Sequence, residues 1–452
     1  MRQLLTMLLT FVPVLAQNPF EGAVPQAKTT DTVMELSLEH AIASGLKANL
    51  GAVLADENLK SAEGNRLVAR SKLLPTLDAR LGETSQQLNL QAFGFSSFPG
   101  IPTIVGPFGV FDARAAMSAT LLNLRARRNA EAASEYLRSA DLDQQDARDA
   151  VALVVCALYI QAVTGASRIE AGKAQVAAAE ALYQQAVDFK KNGLVPAIEV
   201  LRAQVEWQAQ KQRLIGFQNG YQKDMLRLAR AIGLADGQVF TLSERLPDAV
   251  QPGVGIDAAI AAAYKGRKDY LSLATRVKAA ELTRRAASAG RYPELNFHGD
   301  YGAMGKSPAE SHGTFAAGVS LDIPLFEGGR VKGEEMQAEA ALRRQRAQLD
   351  ELRGRVAFEV RTALLDIQSA WDQVEVSRSA VQLARQQQEQ ARDRFANGVT
   401  NNLEVVQAQE ALATADENYI ASLYAYYAAR ASLERATGSA EKNLPKMLAG
   451  TK

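Results

Sequence analysis

The chain repeats itself. The segment NGLVPAIEVLRAQ starting at Asn192 returns as NGVTNNLEVVQAQ starting at Asn397, and the match continues without a gap to LARAIG ending at Gly233 and LERATG ending at Gly438. Twelve of these 42 positions are identical, among them Glu199 with Glu404, Gln204 with Gln409, Tyr221 with Tyr426 and Arg230 with Arg435. A second echo lies upstream, FDARAAMSATLL from Phe111 and FAAGVSLDIPLF from Phe315. Two such halves must each fold by one plan. The match sets a first repeat over 35–234, a linker rich in Gly and Pro over 235–256, a second repeat over 257–438 and a C-terminal tail over 439–452.

Each half holds one β-hairpin, expected over about 75–122 and about 293–326, because apolar and polar residues alternate there with period two. Leu295, Phe297 and Tyr301 oppose Asn296, His298 and Asp300, and Phe315, Ala317, Val319, Leu321 and Ile323 oppose Ser320 and Asp322. In the first half Phe111, Ala113, Ala115, Met117, Ala119 and Leu121 oppose Asp112, Arg114, Ser118 and Thr120. Before them, Leu77, Ala79 and Leu81 oppose Asp78 and Arg80, and this alternation slips after Gly82. Runs of roughly 11 to 13 residues suit a tilted strand crossing a bilayer, which takes about 9 to 11. A soluble sheet with one wet face is the commoner use of the same pattern.

The rest is helical. From about 123 to 191 and from about 328 to 396, helix breakers are few, and each stretch would reach roughly 100 Å at 1.5 Å per residue. Val360, Leu364, Ile367, Trp371 and Val374 follow a 4, 3, 4, 3 spacing, and Val151, Val155, Leu158 and Ala162 begin it again, the seam of a coiled coil. Short breaks at 192–196 and 397–401 then turn each long helix into a return helix, with Gly after Asn to end the first one.

A helix–hairpin–helix order puts both helical ends of each hairpin on one side of the sheet. Four strands cannot close a barrel, and in lipid an open edge leaves backbone groups unpaired. Two copies would give eight strands and a filled bore, and three would give twelve and a pore. The N-terminus, MRQLLTMLLTFVPVLAQ, has one positive residue, an apolar core and Val14-Leu15-Ala16 before a cut after Ala16, the layout of a secretory signal peptide. Gln17 stands where lipid anchoring requires Cys, and 17–34 carries no periodicity and reads as a flexible leader. Beyond residue 16, no uncharged apolar run approaching the 18 to 20 residues of a spanning helix is expected.

Composition excludes other classes. A net charge of +1 argues against binding nucleic acid through a broadly basic surface, and one cysteine rules out an internal disulfide or a cysteine-based metal cluster. His40, His298 and His312 are dispersed without the spacing of a metal site, Gly328, Gly329 and Gly333 lack the Lys-Ser/Thr of a phosphate loop, and no nucleophile, base and acid set is visible. Neither an enzyme nor a cofactor is expected.

The junction IPLFEGGR over 323–330, the tip-and-return stretch FANGVTNNLEVVQAQEAL over 395–412, their first-half echoes and the closing LERATG together resemble the TolC-like outer-membrane efflux proteins, over roughly 36–438. The resemblance implies a mainly α fold with a small β-barrel contribution. Long antiparallel coiled-coil hairpins would form an α-barrel, with four transmembrane strands per protomer in a homotrimer with a twelve-stranded barrel. It also implies an outer-membrane exit duct for tripartite efflux or type I secretion, with its tunnel in the periplasm. Its partners would be outer-membrane lipid, a periplasmic adaptor and, through it, an inner-membrane pump of the RND or ABC type. The tip turns, Gly193, Leu194 and Val195 with Gly398, Val399 and Thr400, would dock the adaptor. Glu404 would line the closed gate, with Gln407 where an aspartate is frequent and Thr400 where some relatives carry an arginine.

Asp112, Arg114, His298, Asp300 and Asp322 would face the barrel lumen. Read without the family, Glu404 is equally a solvated glutamate favoured by its helix N-terminus. The competing function is a soluble periplasmic coiled-coil adaptor or scaffold. One departure between halves is the apolar segment FGFSSFPGIPTIVGPFG, about fourteen residues longer than its counterpart, which could cap the pore.

Overall fold

A computed structural model describes residues 19–25, 32–94, 102–251, 253 and 255–448, and the predicted signal peptide lies outside them. In chain order the elements are β1 (Met34–Leu36), α1 (Leu38–Ala48), α2 (Leu50–Ser71), β2 (Thr76–Asn89), β3 (Ile104–Leu122), α3 (Leu124–Lys191), α4 (Ala197–Ile232), β4 (Phe240–Leu242), α5 (Ile256–Gly266), α6 (Lys268–Ser288), β5 (Glu294–Gly305), β6 (Ser311–Asp322), α7 (Arg330–Ala396), α8 (Asn402–Thr437) and α9 (Ala440–Asn443). The chain divides into two compact units, one comprising 1–58, 142–271 and 351–452, the other 59–141 and 272–350.

The second unit carries the four-stranded antiparallel sheet, in the order β2-β3-β5-β6. Its strands run 14, 19, 12 and 12 residues, the first pair longer than expected. Although its alternation slips, β2 stays paired beyond Gly82 as far as Asn89, taking up an irregularity between Gln86 and Leu88. Ile104 to Gly109, expected within the long connecting segment, belong to β3, while 95–101 fall outside the described residues. A register shift between Thr120 and Leu122 places Leu122 opposite Leu295 and takes Leu121 out of its predicted row.

In the first unit the helical hairpins pack through small residues. From Val356 to Val381 the buried positions of α7 are Val356, Val360, Ala363, Ile367, Ala370, Val374, Ser377 and Val381, keeping the 4, 3 spacing. Ala363 and Ala370 hold the seam where Leu364 and Trp371 were expected, and a methyl there lets neighbouring backbones approach more closely. On α3, Tyr159 replaces Leu158 in the core beside Val151, Val155 and Ala162. Residues 150–167 in fact form an uncharged run of 18, and α3 is long and apolar enough to pass as a spanning helix. Its apolar stretch is instead packed inside this unit, with Val151, Val155, Cys156, Tyr159 and Ile160 fully buried.

Three segments expected to be irregular are held in place. Within the predicted leader, the Phe20 carbonyl accepts from Asn49 Nδ2 at 2.7 Å and Gly22 O accepts from Leu50 N–H at 2.9 Å, and β1, which starts at the leader's last residue, Met34, pairs in parallel with β4 of the linker. Farther along the linker, Tyr159 donates to Glu244 Oε2 at 2.6 Å, Tyr427 to Pro247 O at 3.0 Å and Tyr426 to Val250 O at 2.7 Å. In the tail, α9 and the turn after it bury Ala440, Leu444 and Leu448. These contacts are made residue by residue and impose no period, so pattern alone does not announce them.

Candidate lumen face and tunnel tip

Cross-strand register sorts the second unit's sheet into two chemically distinct faces. On one, Leu77, Met117, Gly299 and Ala317 share a row, and Ala79, Ala115, Tyr301 and Phe315 share the next. Among the described residues nothing covers this face: Leu77 is 75% exposed, Tyr301 70% and Phe315 78%. The other face brings together all five predicted lumen residues, Asp112, Arg114, His298, Asp300 and Asp322, at even-numbered positions of β3, β5 and β6.

Arg114 ties that face together. Its guanidinium donates to Asp112 at 3.2 Å, pairs with Asp300 and reaches Thr314 Oγ1 at 3.5 Å. Gly302 makes this possible, since a Cβ there would stand 2.3 Å from Ala113 O and 2.7 Å from Arg114 Cα. Asp322 accepts from Asn296 Nδ2 at 3.0 Å, and the His298 ring lies close over Gly318. Arg80 sits directly across from Arg114 in the register, exposed and in no ion pair among the described residues.

The first unit carries both tip turns. Gly193 (φ 72°) and Gly398 (φ 69°) take the left-handed conformation that terminates a helix. Leu194 N–H donates to Phe189 O at 2.8 Å and Val399 N–H to Arg394 O at 2.9 Å, each satisfying a carbonyl of the last turn. Leu194 and Val399 are both 67% exposed, Gly193 and Gly398 are exposed, and Val195 and Thr400 are half-buried. Behind the turns, Leu182, Ala186, Ala203, Ala391, Phe395, Val405 and Ala408 from all four helices form one apolar cluster, with the rings of Phe189 and Phe395 5.5 Å apart.

The two repeat-related glutamates have diverged. Glu404, in the first turn of α8, is half-buried with Arg394 Nε 3.6 Å from its carboxylate, and Gln407 is exposed one turn on. Glu199, in the first turn of α4, is buried, a difference that its identity with Glu404 in the repeat does not announce. Also missed was an exposed apolar stripe on the first hairpin, Leu194, Ile198, Leu201 and Val205, although its 4, 3, 4 spacing is legible in the sequence.

The sequence model of the outer membrane efflux protein family matches residues 53–234 and again 259–439, once per repeat. No curated protein matches the chain by sequence. Among solved structures, the chain is similar to the outer membrane protein VceC of Vibrio cholerae, with TM-score 0.76 and 19% identity over 89% of this chain and 96% of that one. It is also similar to the Campylobacter jejuni CmeC outer membrane channel, with TM-score 0.75 and 16% identity over 96% of each chain. A third is the open state of the Neisseria gonorrhoeae MtrE outer membrane channel, with TM-score 0.73 and 17% identity over 93% of this chain and 96% of that one. At these identities the structures show a shared fold, and the family match over both repeats carries the assignment. The chain is an efflux channel of the outer membrane and belongs to the outer membrane efflux protein family.

Proposed function

We propose that three copies assemble into the exit duct of a tripartite efflux or type I secretion system, with the tunnel tip docking a periplasmic adaptor that joins it to an inner-membrane pump. The observation that carries this reading is the four-stranded sheet with one uncovered apolar face, one charged face and two edge strands, β2 and β6. In lipid, those edges must pair, and closure with two further copies gives a twelve-stranded barrel with Arg114 and its acidic partners inside. A soluble adaptor would have no use for a sheet face that holds Leu77, Tyr301 and Phe315 in contact with water. The family consists of channels, and we read this chain as a transporter without catalytic chemistry or a resident cofactor.

At the tip, Gly193, Leu194, Val195, Gly398, Val399 and Thr400 form the adaptor surface, extended along α4 by Ile198, Leu201 and Val205. Glu404 lines the gate, and three symmetric carboxylates at a constriction attract cations. Arg394 offsets part of that charge, and Gln407 leaves the ring single. Reconstitution into planar bilayers tests the reading: the protein runs as a trimer, conducts in discrete steps, and loses cation selectivity in Glu404→Gln. A monomer in detergent, or silent bilayers, overturns it.

A further inference from the structure

Within the first unit, a partly open cavity of about 140 Å³ lies between the two helical hairpins, and all four helices line it. Its α3 wall is mostly alanine, and its polar lining is Gln175, Glu206, Gln210, Gln388, Gln409 and Asp416. Gln409 lies seven residues beyond Asn402, roughly 10 Å along α8 from the tip turn at 1.5 Å per residue.

The buried polar atom left without a partner in this cavity is an acceptor. Gln409 is 7% exposed; its amide nitrogen donates to Ala178 O at 3.3 Å, while its Oε1 is buried with no hydrogen-bond partner. Glu206 receives one neutral bond, from Gln210 Nε2 at 2.6 Å, and no ion pair to it is found among the described residues. Asp416 has Arg385 no nearer than 3.8 Å, and burial pushes its carboxyl above the ordinary range against the pull of that arginine. Arg213, the other cation nearby, is engaged by Gln210 Oε1 at 3.5 Å and Glu410 at 3.0 Å. Neither arginine lines the cavity.

We propose that this cavity binds a hydrated divalent cation of the Mg²⁺ class, held by Glu206, Gln409 and Asp416. Two carboxylates are too few to strip such an ion, and the described residues contain no group of three or more acidic, His or Cys side chains placed to hold a bare metal. Mg²⁺ keeps several of its waters and is commonly held through one or two carboxylates. The cavity has room for an ion with waters, and those waters are the donors that Gln409 Oε1 lacks. Glu206 lies on α4 and the other two on α8, so the ion braces one hairpin against the other. The site is built within one chain and needs no assembly.

Mn²⁺ serves as the probe, followed by electron paramagnetic resonance on the purified full-length protein in detergent. A Glu404→Gln background removes the gate carboxylates as a competing site. The expected result is one saturable Mn²⁺ per chain, displaced by Mg²⁺. Asp416→Asn, Glu206→Gln and Gln409→Met should each weaken binding by about 10- to 100-fold with unchanged helix content and elution volume. Saturable binding that all three variants retain, or no saturable binding in the Glu404→Gln protein, overturns the proposal. Conductance and trimer formation are read separately, so failure of the cation site leaves the duct reading intact.

Discussion

Glu199 and Asn402 stand 203 positions apart, yet the Glu199 carboxylate accepts from the Asn402 backbone N–H at 3.1 Å and the Glu199 carbonyl accepts from Asn402 Nδ2 at 2.6 Å. Both residues are buried, and Arg202 pairs with the same carboxylate at 2.9 Å. One carboxylate thereby serves the N-terminal turns of both return helices, where unpaired N–H groups and the helix dipoles favour negative charge. A buried hydrogen bond to a charged group is worth about 1.5–3 kcal/mol. Glu199→Gln should destabilise the tip by about that amount and Asn402→Ala, which removes only the bond to the neutral Glu199 carbonyl, by about 0.5–1.5 kcal/mol, and in a double-mutant cycle the two should couple rather than add. Amide hydrogen exchange over 397–403 reads the effect, with Glu404→Gln as the weak control; additive losses at 199 and 402 would show the contact to be idle.

The repeat, the four strands and both tip turns were legible because each is written as a period or a chemical signature. α3 ends at Lys191 and α7 at Ala396, where Asn-Gly places a glycine ready for positive φ. What stayed hidden depends on partners distant in sequence. Glu199 and Glu404 are identical in the repeat alignment, but only Glu199 meets Asn402, because Ala197 occupies the matching place at the first tip. Likewise the 4, 3 spacing located the seam of α7 but could not tell Ala370 from Trp371, since seam membership is set by which face the neighbouring helices cover.

Two carboxylates of the first unit should drive stability in opposite directions with pH. Burial alone would raise Asp269, but the hydrogen bonds and charge of Arg267 outweigh it and hold the carboxyl below its usual range. A lowered carboxylate contributes stability that is present above its unfolded value of about 3.9 and is lost as pH falls through the folded value. Asp416 is raised by burial, so its contribution is favourable in acid and is lost as pH rises from about 3.9 through the folded value. At pH 7 without divalent ions, Asp269→Asn should lower the melting temperature and Asp416→Asn should raise it. Both differences should shrink toward pH 3; melting curves with the opposite order would refute the assignment.

Cys156 should be chemically silent in the folded protein. It is fully buried on α3, and desolvation pushes its thiol up to about 12. Only the thiolate attacks. A maleimide added at pH 7.5 should leave native protein unlabelled over hours and modify it completely in denaturant. Rapid native labelling would mean that the α3 core opens on that timescale.

Gly302 should be the least replaceable glycine of the sheet's charged face. It lies opposite Arg114 in the β3–β5 register, and the guanidinium crosses that position to reach Asp300 and Thr314. An added Cβ would collide with Ala113 O at 2.3 Å and Arg114 Cα at 2.7 Å, both backbone atoms of the ladder, which can yield only if the strands separate. Overpacking of this kind costs about 1–3 kcal/mol. The Arg114 network would shift with the strands, exposing paired charges that now neutralise one another. Gly82→Ala, on the same face with nothing within 4 Å of the added methyl, is the matched control. Gly302→Ala should cut the yield of folded trimer on size-exclusion several-fold, and Gly82→Ala should leave it unchanged. Equal yields would show that the strands relax around position 302 more freely than their register implies.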